Sequence, residues 1–282
     1  MTGPGPARGS VFAALHRRGE PFVLPNAWDV ASALLLADAG FPAVATTSMG
    51  VNSAAGLIDG EGTGRSCTMA LAAALAPRLA VPVSVDFEGG FSDDPAAVAE
   101  LAAELAGAGV AGINLEDVSA GGALRDAAAQ ARIISAVRAA APDLFLNART
   151  DVYWLGFGPV AGRQAETLSR LRAYADAGAN GVYVPGLTEF TEIEAVTSQI
   201  AQPLNLLWQP GLDVPRLAAA GVARISTGSG PYRRALAAGL ATAVAARDGT
   251  APPAPDIRYA DLMNALTEAE PERAGGTRRR LD

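Results

Sequence analysis

Short apolar runs alternate with longer Ala/Leu-rich amphipathic stretches along most of the chain. The runs predict eight strands: Phe22–Leu24, Ala43–Thr46, Val83–Asp86, Gly112–Leu115, Leu144–Ala148, Gly181–Val184, Leu204–Leu207 and Arg224–Ser226. The stretches between and after them predict helices over Ala27–Ala39, Thr68–Leu79, Pro95–Ala108, Ala127–Ala140, Gln164–Ala177, Glu189–Ser198, Val214–Ala220 and Tyr232–Ala246. Strand alternating with helix predicts a parallel sheet. Ala-Gly pairs at Gly40, Gly109, Gly178 and Gly221 end helices just before strands, where glycine suits the left-handed residue after a helix. Polar residues gather where the apolar strands end: Asn26, Thr46, Thr47, Asp86, Glu88, Glu116, Arg149, Asp151, Asn205 and Thr227. In a closed barrel those positions converge at one mouth, whereas an open sheet would spread them along a line. No GxGxxG follows the first strand, which weighs against dinucleotide binding. The expected fold class is therefore α/β, a (β/α)8 TIM-type barrel over residues 11–248.

Past the barrel, Asp248-Gly-Thr-Ala-Pro-Pro-Ala-Pro-Asp256 reads as a Pro-rich linker. A short extra C-terminal helix is expected from Tyr259 to Ala269, completing a segment over residues 249–270. It has two expected docking places, its own barrel or a neighbouring subunit. Residues 1–10 and 271–282 read as tails.

Length changes little in this picture: 282 residues, half of them hydrophobic, suit one barrel. Charge narrows the partners. A net charge of -7, from 22 basic and 29 acidic residues, argues against nucleic acid or an anionic membrane. A small anionic substrate is still compatible, because a site can be locally positive. Neither a signal-peptide core nor a long uninterrupted apolar span is present, so a cytoplasmic protein is expected. The single cysteine, Cys67, allows no intrachain disulfide and reads as ordinary packing. The single histidine, His16, lies in a charged stretch and reads as a surface residue. Without clustered His or Cys, zinc is disfavoured.

The candidate chemistry is carboxylate chemistry. In Val83-Ser-Val-Asp-Phe-Glu-Gly-Gly-Phe, Asp86 and Glu88 stand two apart and share a face of an extended segment. Such a pair repels itself unless a proton or cation sits between. Glu116 reaches the same space from the next strand, and Asp59 from the loop after the second. The bland alternative is that each acid caps the helix after it. An all-oxygen set with room for water suits Mg2+ or Mn2+. In Leu144-Phe-Leu-Asn-Ala-Arg-Thr-Asp, the residues Asn147, Arg149 and Asp151 alternate, and Arg149 is placed to grip a substrate carboxylate. The alternative there is a structural Arg149–Asp151 pair. Thr46, Thr47 and Ser48 offer hydroxyls and N–H groups to an anion. Trp154 and Trp208 are pocket candidates, and Tyr153 is a candidate proton relay. The loop Ser226-Thr-Gly-Ser-Gly reads as a tight turn and helix cap in preference to a phosphate site.

These residues resemble the isocitrate lyase/phosphoenolpyruvate mutase superfamily. The likeness runs from Leu24-Pro-Asn-Ala-Trp-Asp to Gly228-Ser-Gly and is carried by TTSMGVNSAAGLIDGEG, VSVDFEGGFSDDP, GINLEDVSAGG and LFLNARTDVYWLG. It implies an α/β barrel, often tetrameric, with a helix exchanged between subunits. A homo-oligomer, dimer or tetramer, is therefore expected. The resemblance implies Asp86 as the direct Mg2+ ligand, with Asp59, Glu88 and Glu116 holding the metal's waters. Arg149 would bind the substrate's carboxylate and enolate oxygen, Thr46, Thr47 and Ser48 its other end, and Asn205 the substrate from the seventh strand. The shared chemistry is an enolate of pyruvate or a relative, in which Arg149, Glu116 and Asp59 take catalytic parts.

The departures narrow the reaction. The isocitrate and methylisocitrate lyases carry a Lys-Lys-Cys-Gly-His loop after the fourth strand, whereas this chain reads Asp117-Val-Ser-Ala-Gly-Gly-Ala-Leu-Arg. That argues against those two activities. Gly186 stands where some lyases have a glutamate. The pattern looks closest to the oxaloacetate decarboxylases and lyases of substituted malates. The expected function is a Mg2+-dependent C–C lyase or decarboxylase of a small 2-oxo or 2-hydroxy dicarboxylic acid. One alternative is a P–C bond mutase or hydrolase of a phosphonopyruvate-like acid, with Arg125 as a gripping group. A second is a non-catalytic ligand-binding barrel.

Overall fold

The computed structural model describes residues 7–119, 121–251 and 257–269. The expected tail over 271–282, residues 1–6 of the expected N-terminal tail and residues 252–256 of the linker lie outside the described residues. Residues 8–10 are not tail: they form the first turn of a helix.

The sheet is entirely parallel. Its strands are β1 (Phe22–Leu24), β2 (Asn26–Ala27), β3 (Val44–Thr46), β4 (Val83–Asp86), β5 (Gly112–Glu116), β6 (Phe145–Arg149), β7 (Gly181–Tyr183), β8 (Leu204–Leu207) and β9 (Arg224–Ser226). The helices are α1 (Arg8–Ala14), α2 (Val30–Asp38), α3 (Ser48–Ala54), α4 (Arg65–Leu75), α5 (Pro95–Gly107), α6 (Ala127–Ala140), α7 (Val160–Asp176), α8 (Phe190–Gln199), α9 (Val214–Ala219), α10 (Gly230–Asp248) and α11 (Tyr259–Glu268). The order is that of a TIM-type barrel with a short C-terminal helix.

Nine strands stand where eight were expected, because the first barrel strand is broken at Pro25. Its first part, β1, pairs with β9, and its second part, β2, pairs with β3. Proline has no N–H to give a ladder, and the chain changes partner there. The two ends of the sheet are thus joined covalently through one residue. Asn26 then fastens the seam. Its amide N donates to the Thr227 hydroxyl at 2.9 Å, and its Nδ2 donates to the Thr46 carbonyl at 2.7 Å. Its Oδ1 accepts from the Thr227 and Gly228 backbone N–H groups at 3.0 and 2.8 Å, and from the Thr227 hydroxyl at 3.2 Å. The Ser226–Gly230 loop is therefore a turn bound to Asn26.

Two helices depart from expectation. Residue Ala27 belongs to β2, and α2 starts later because Asp29 caps it: its carboxylate accepts from Ser32 N while the Ser32 hydroxyl returns the bond. Ser48–Ala54, expected as loop, is the short helix α3.

Apolar strand residues that face outward, among them Val85, Ile113, Leu146, Val182 and Ile225, are fully buried under the helices. The barrel interior is polar, with Ser84, Asn114, Asn147, Asn205, Arg224 and Ser226 all buried. Arg224 donates to Asn114 Oδ1 at 2.9 Å and to the Ser226 hydroxyl at 3.2 Å. Burial lowers its pKa to about 10, so it still carries its charge at neutral pH.

The opposite end of the barrel is plugged by α1. There His16 is half-buried, its ring enclosed by aromatic side chains and not free on the surface. Its ring stacks on Phe145 at 4.1 Å and meets Phe12 and Phe22 edge-on. Burial, aided by the Arg224 charge, depresses its pKa to about 3, so the ring is neutral. Gly9 allows this approach: any side chain there would strike the Asp143 carbonyl.

If Asn26 closes the barrel, Asn26→Ala leaves the Thr227 and Gly228 N–H groups without their acceptor. A loss of roughly 3 kcal/mol is expected, read as a shifted midpoint in urea unfolding. A shift near zero would place closure elsewhere.

Candidate active site

At the C-terminal mouth of the barrel lies a cavity of about 460 Å³ lined by residues that include Ser48, Asp59, Glu88, Glu116, Arg149, Asp151 and Trp154. It is continuous in its lining with an inner pocket of about 100 Å³, where Asp86, Asn114, Tyr183 and Ser226 join Thr47, Ser48, Asp59, Arg149 and Trp154.

Asp86 ends β4. Its backbone N–H donates to the Thr46 hydroxyl at 2.9 Å, and its carboxylate accepts from Ser48 N at 3.0 Å. Ser48 is the first residue of α3, so a neighbouring strand supplies the acceptor that this helix start lacks locally. The same-face argument for Asp86 and Glu88 does not hold. The strand stops at Asp86, and Glu88 is left-handed, with φ of 49°. That conformation is strained for a side chain of this kind. Glu88 reaches the cavity nonetheless, where Asn52 Nδ2 donates to its carboxylate at 2.9 Å and to Asp59 at 3.3 Å.

Glu116 ends β5 and pairs with Arg149 Nη1 at 2.9 Å. Arg149 Nε and Nη2 donate to both oxygens of Asp151, at 2.5 and 2.6 Å. Asp151 is fixed in turn: its N–H donates to Asp117, a buried acid that also accepts from Tyr174 at 2.8 Å and Arg170 at 3.2 Å. The structural Arg149–Asp151 pair is thus real. It orients the guanidinium and still leaves N–H groups on Nη1 and Nη2 for another oxygen. Asn147 lies deeper and donates to Asn114 at 2.9 Å.

Crowding shows in the protonation of the acids. Burial pushes Glu88 up to about 7, with Asp86 and Asp59 adding repulsion against the Asn52 hydrogen bond. Asp59 is raised by burial and by the Asp86 charge. Glu116 is raised by burial against the pull of Arg149. Burial works against the Arg149 charge, but Glu116 and Asp151 overcome it and hold the group protonated.

Among the described residues no three acidic, His or Cys side chains form a ready ligand cage. The donors fit a hard divalent cation that keeps most of its water. Asp59, Glu88 and Glu116 line the outer cavity and Asp59 and Asp86 the inner pocket, so these are the carboxylates that would hold such an ion. Gathered acids raised by mutual repulsion are what such a cation would relieve.

Other sequence candidates stand apart. Thr46 supports the Asp86 backbone and does not line the cavity. Asn205 is buried in the barrel interior, accepting from Ser226 at 3.1 Å. Trp208 lines a neighbouring groove with Arg233 and Arg234, which adjoins the inner pocket through Trp154, Leu207 and Ser229. The Tyr153 ring packs on the core, and its hydroxyl faces Glu192 and Arg163. Arg125 is buried and engaged by Asp93 at 2.7 Å, by Gln130 and by backbone carbonyls. Gly186 has φ of 83°, which disfavours a side chain there. Two residues of the site went unnoticed: Asn52, inside a presumed loop, and Tyr183, inside an apolar run. Strand alternation places Tyr183 facing inward, opposite in direction to Val182 and Val184.

The profile of the phosphoenolpyruvate phosphomutase family matches residues 12–247. The chain belongs to this family. The uncharacterized protein Rv1998c of Mycobacterium tuberculosis is 45% identical over 263 residues, 92% of this chain and 97% of that protein. A 2-methylisocitrate lyase of Bacillus subtilis is 31% identical over 202 residues, 68% of this chain and 64% of that enzyme. Among solved structures, a phosphonomutase candidate from Burkholderia cenocepacia J2315 superposes with a TM-score of 0.80 at 41% identity, covering 85% of this chain and 99% of that one. Family relatives are lyases and mutases of small pyruvate-like acids.

A proton on Glu88 stabilises the metal-free fold. Its folded pKa is raised from 4.5 to about 7, so that stability is present below pH 4.5 and lost as pH rises toward and past 7. The melting temperature of metal-free protein is expected to fall between pH 5.5 and 8, and less so in Glu88→Gln. Added Mg2+ is expected to raise it more at pH 8 than at pH 5.5. The opposite ordering would separate these acids from cation binding.

Proposed function

We propose that the protein is a divalent-metal-dependent C–C lyase or decarboxylase acting on a small 2-oxo or 2-hydroxy dicarboxylic acid. The observation that carries this reading is the gathering of Arg149 with Asp59, Asp86, Glu88 and Glu116 around two adjoining pockets that share Ser48, Asp59, Arg149 and Trp154. A cation held by Asp86, Mg2+ or Mn2+, supplies Lewis-acid stabilisation of charge on the substrate's oxygens. Arg149 grips the same end of the substrate with its remaining N–H groups. Thr47 and Ser48, at the start of α3, line the pocket beside it. In a 2-hydroxy acid the hydroxyl would lose its proton, C2 would become the oxo carbon, and the electron pair of the breaking C–C bond would pass to the carboxylate of the departing fragment. In a 2-oxo acid that pair would spread into the 2-oxo group as an enolate. The fixed guanidinium, held by Asp151 and Glu116, stabilises that charge without reorganising.

Two observations weigh against the alternatives. P–C chemistry calls for a second anion grip at the 119–125 loop, and Arg125 is engaged by Asp93 instead. A silent barrel has no use for strain at Glu88 or for a clamped Arg149.

The protein is also proposed to be a homo-oligomer. On α10, Leu236, Leu240 and Val244 lie four apart on one face, and are 57%, 68% and 37% exposed. Such a stripe is suited to a second copy of the chain. The last helix, α11, packs on α2 of its own barrel. No helix of the described residues is long and apolar enough to cross a membrane.

Pyruvate release from oxaloacetate and from substituted malates tests the reaction. Turnover is expected with Mg2+, absent with chelator above the metal's own background, and lost in a folded Asp86→Ala. Full turnover in that variant would sink the reading. For the assembly, Leu236→Glu with Leu240→Glu is expected to give monomers by light scattering; an unchanged mass would refute the role of α10.

A further inference from the structure

The proposed reaction leaves an enolate carbon that must take up a proton. Tyr153, the sequence candidate for that task, is turned toward Glu192 and Arg163. Most polar groups of the inner pocket are already committed. Asn26 holds the barrel seam, and the Ser226 hydroxyl donates to Asn205. Asp59 and Asp86 belong to the cation, and Arg149 is clamped as a permanent charge.

Tyr183 is different. It ends β7, pairs in register with Arg149 on β6 and lines the inner pocket with Asp86 and Asn114. Its ring lies beside the guanidinium, with Arg149 Cζ 5.6 Å from the ring centroid. Its neighbours Val182 and Val184 are buried in the outer core, so the strand directs the phenol inward. Burial keeps its hydroxyl protonated, and the Arg149 charge favours the phenolate. A protonated O–H that lines the pocket beside a fixed cation is positioned to act on a ligand.

We propose that Tyr183 is the catalytic acid of this site, giving its phenolic proton to the carbon vacated by the leaving fragment. The inference rests on the 2-oxo-acid branch of the lyase reading above, in which cleavage leaves an enolate of the pyruvate type. Cleavage moves the C–C electron pair into the enolate. The enolate carbon then forms a bond to the phenolic hydrogen, the O–H electron pair stays on the Tyr183 oxygen, and the C2 carbonyl is restored. The phenolate is held by the Arg149 charge until water from the cavity returns a proton. Run backwards, the Tyr183 phenolate removes a methyl proton from pyruvate. The protein must therefore exchange the methyl hydrogens of pyruvate with solvent.

The test uses pyruvate and Mg2+ in D2O, followed by loss of the methyl proton signal in NMR. Wild-type protein is expected to exchange, and chelator to stop it. Tyr183→Phe is expected to lower exchange at least about a hundredfold. The same variant should keep the wild-type melting temperature and bind oxalate with Mg2+ as tightly as wild type by calorimetry. Tyr153→Phe should exchange normally. Wild-type exchange in Tyr183→Phe would overturn the role of Tyr183 and leave the lyase reading standing. Loss of oxalate binding together with exchange would also overturn it, making Tyr183 a wall of the pocket. No exchange by wild type would overturn the inference, and pyruvate release from oxaloacetate would then show whether the lyase reading stands without it.

Discussion

Closure of the sheet at its first strand is the constraint on which the rest depends. Pro25 ends one ladder and Asn26 begins another, and the Asn26 side chain ties β2, β3 and the turn after β9 together. Only a closed sheet brings the ends of β4, β5 and β6 to the same mouth as those of β7 and β9. Asp86, Glu116, Arg149 and Tyr183 come from four consecutive strands, and Ser226 joins them from β9. The polar interior beneath them, with Arg224 held by Asn114 and Ser226, keeps them in place.

A mouth built this way concentrates negative charge, which costs stability in the absence of a cation. Burial and mutual repulsion raise Asp59, Glu88 and Glu116. The left-handed Glu88 adds strain of order 1 kcal/mol or more. What offsets these costs is a chain of fixed contacts: Asn52 on Glu88 and Asp59, Ser48 N on Asp86, and Arg149 between Glu116 and Asp151. Behind Asp151 stands Asp117, anchored by Arg170 and Tyr174 on α7. The site is therefore held from its second layer outward, as an arrangement that stabilises charge without moving requires.

The barrel was legible because strand and helix alternate with clear periods, and the mouth because polar residues sit where apolar runs end. Asp86, Glu116 and Arg149 followed from that rule, Asp59 from the loop after the second strand, and their roles from the family resemblance. What escaped depends on contacts between distant segments. Nothing local shows that His16 is enclosed by Phe12, Phe22 and Phe145. Nor does local sequence show that Pro25 hands the strand from one neighbour to another. Asn205, read as a strand-end residue, and Tyr183, hidden in an apolar run, are partners in the ladder, yet one points into a sealed interior and the other into the pocket. Glu88 reaches the mouth through a positive φ, which no spacing argument anticipates. Trp208 follows a polar strand end like Trp154 and shares a neighbouring groove with it, but only Trp154 also lines the two pockets that hold the acids. The turn after each strand, not the strand, decides such cases.

The central claim is that this mouth binds a divalent cation and a 2-oxo-acid-like ligand together. Calorimetric titration with oxalate, a planar dianion of the enolate's shape, tests that directly. The account predicts saturable binding with Mg2+ present, none with chelator, and none in Asp86→Ala. Equal oxalate binding with and without the cation, or in the variant, would contradict it.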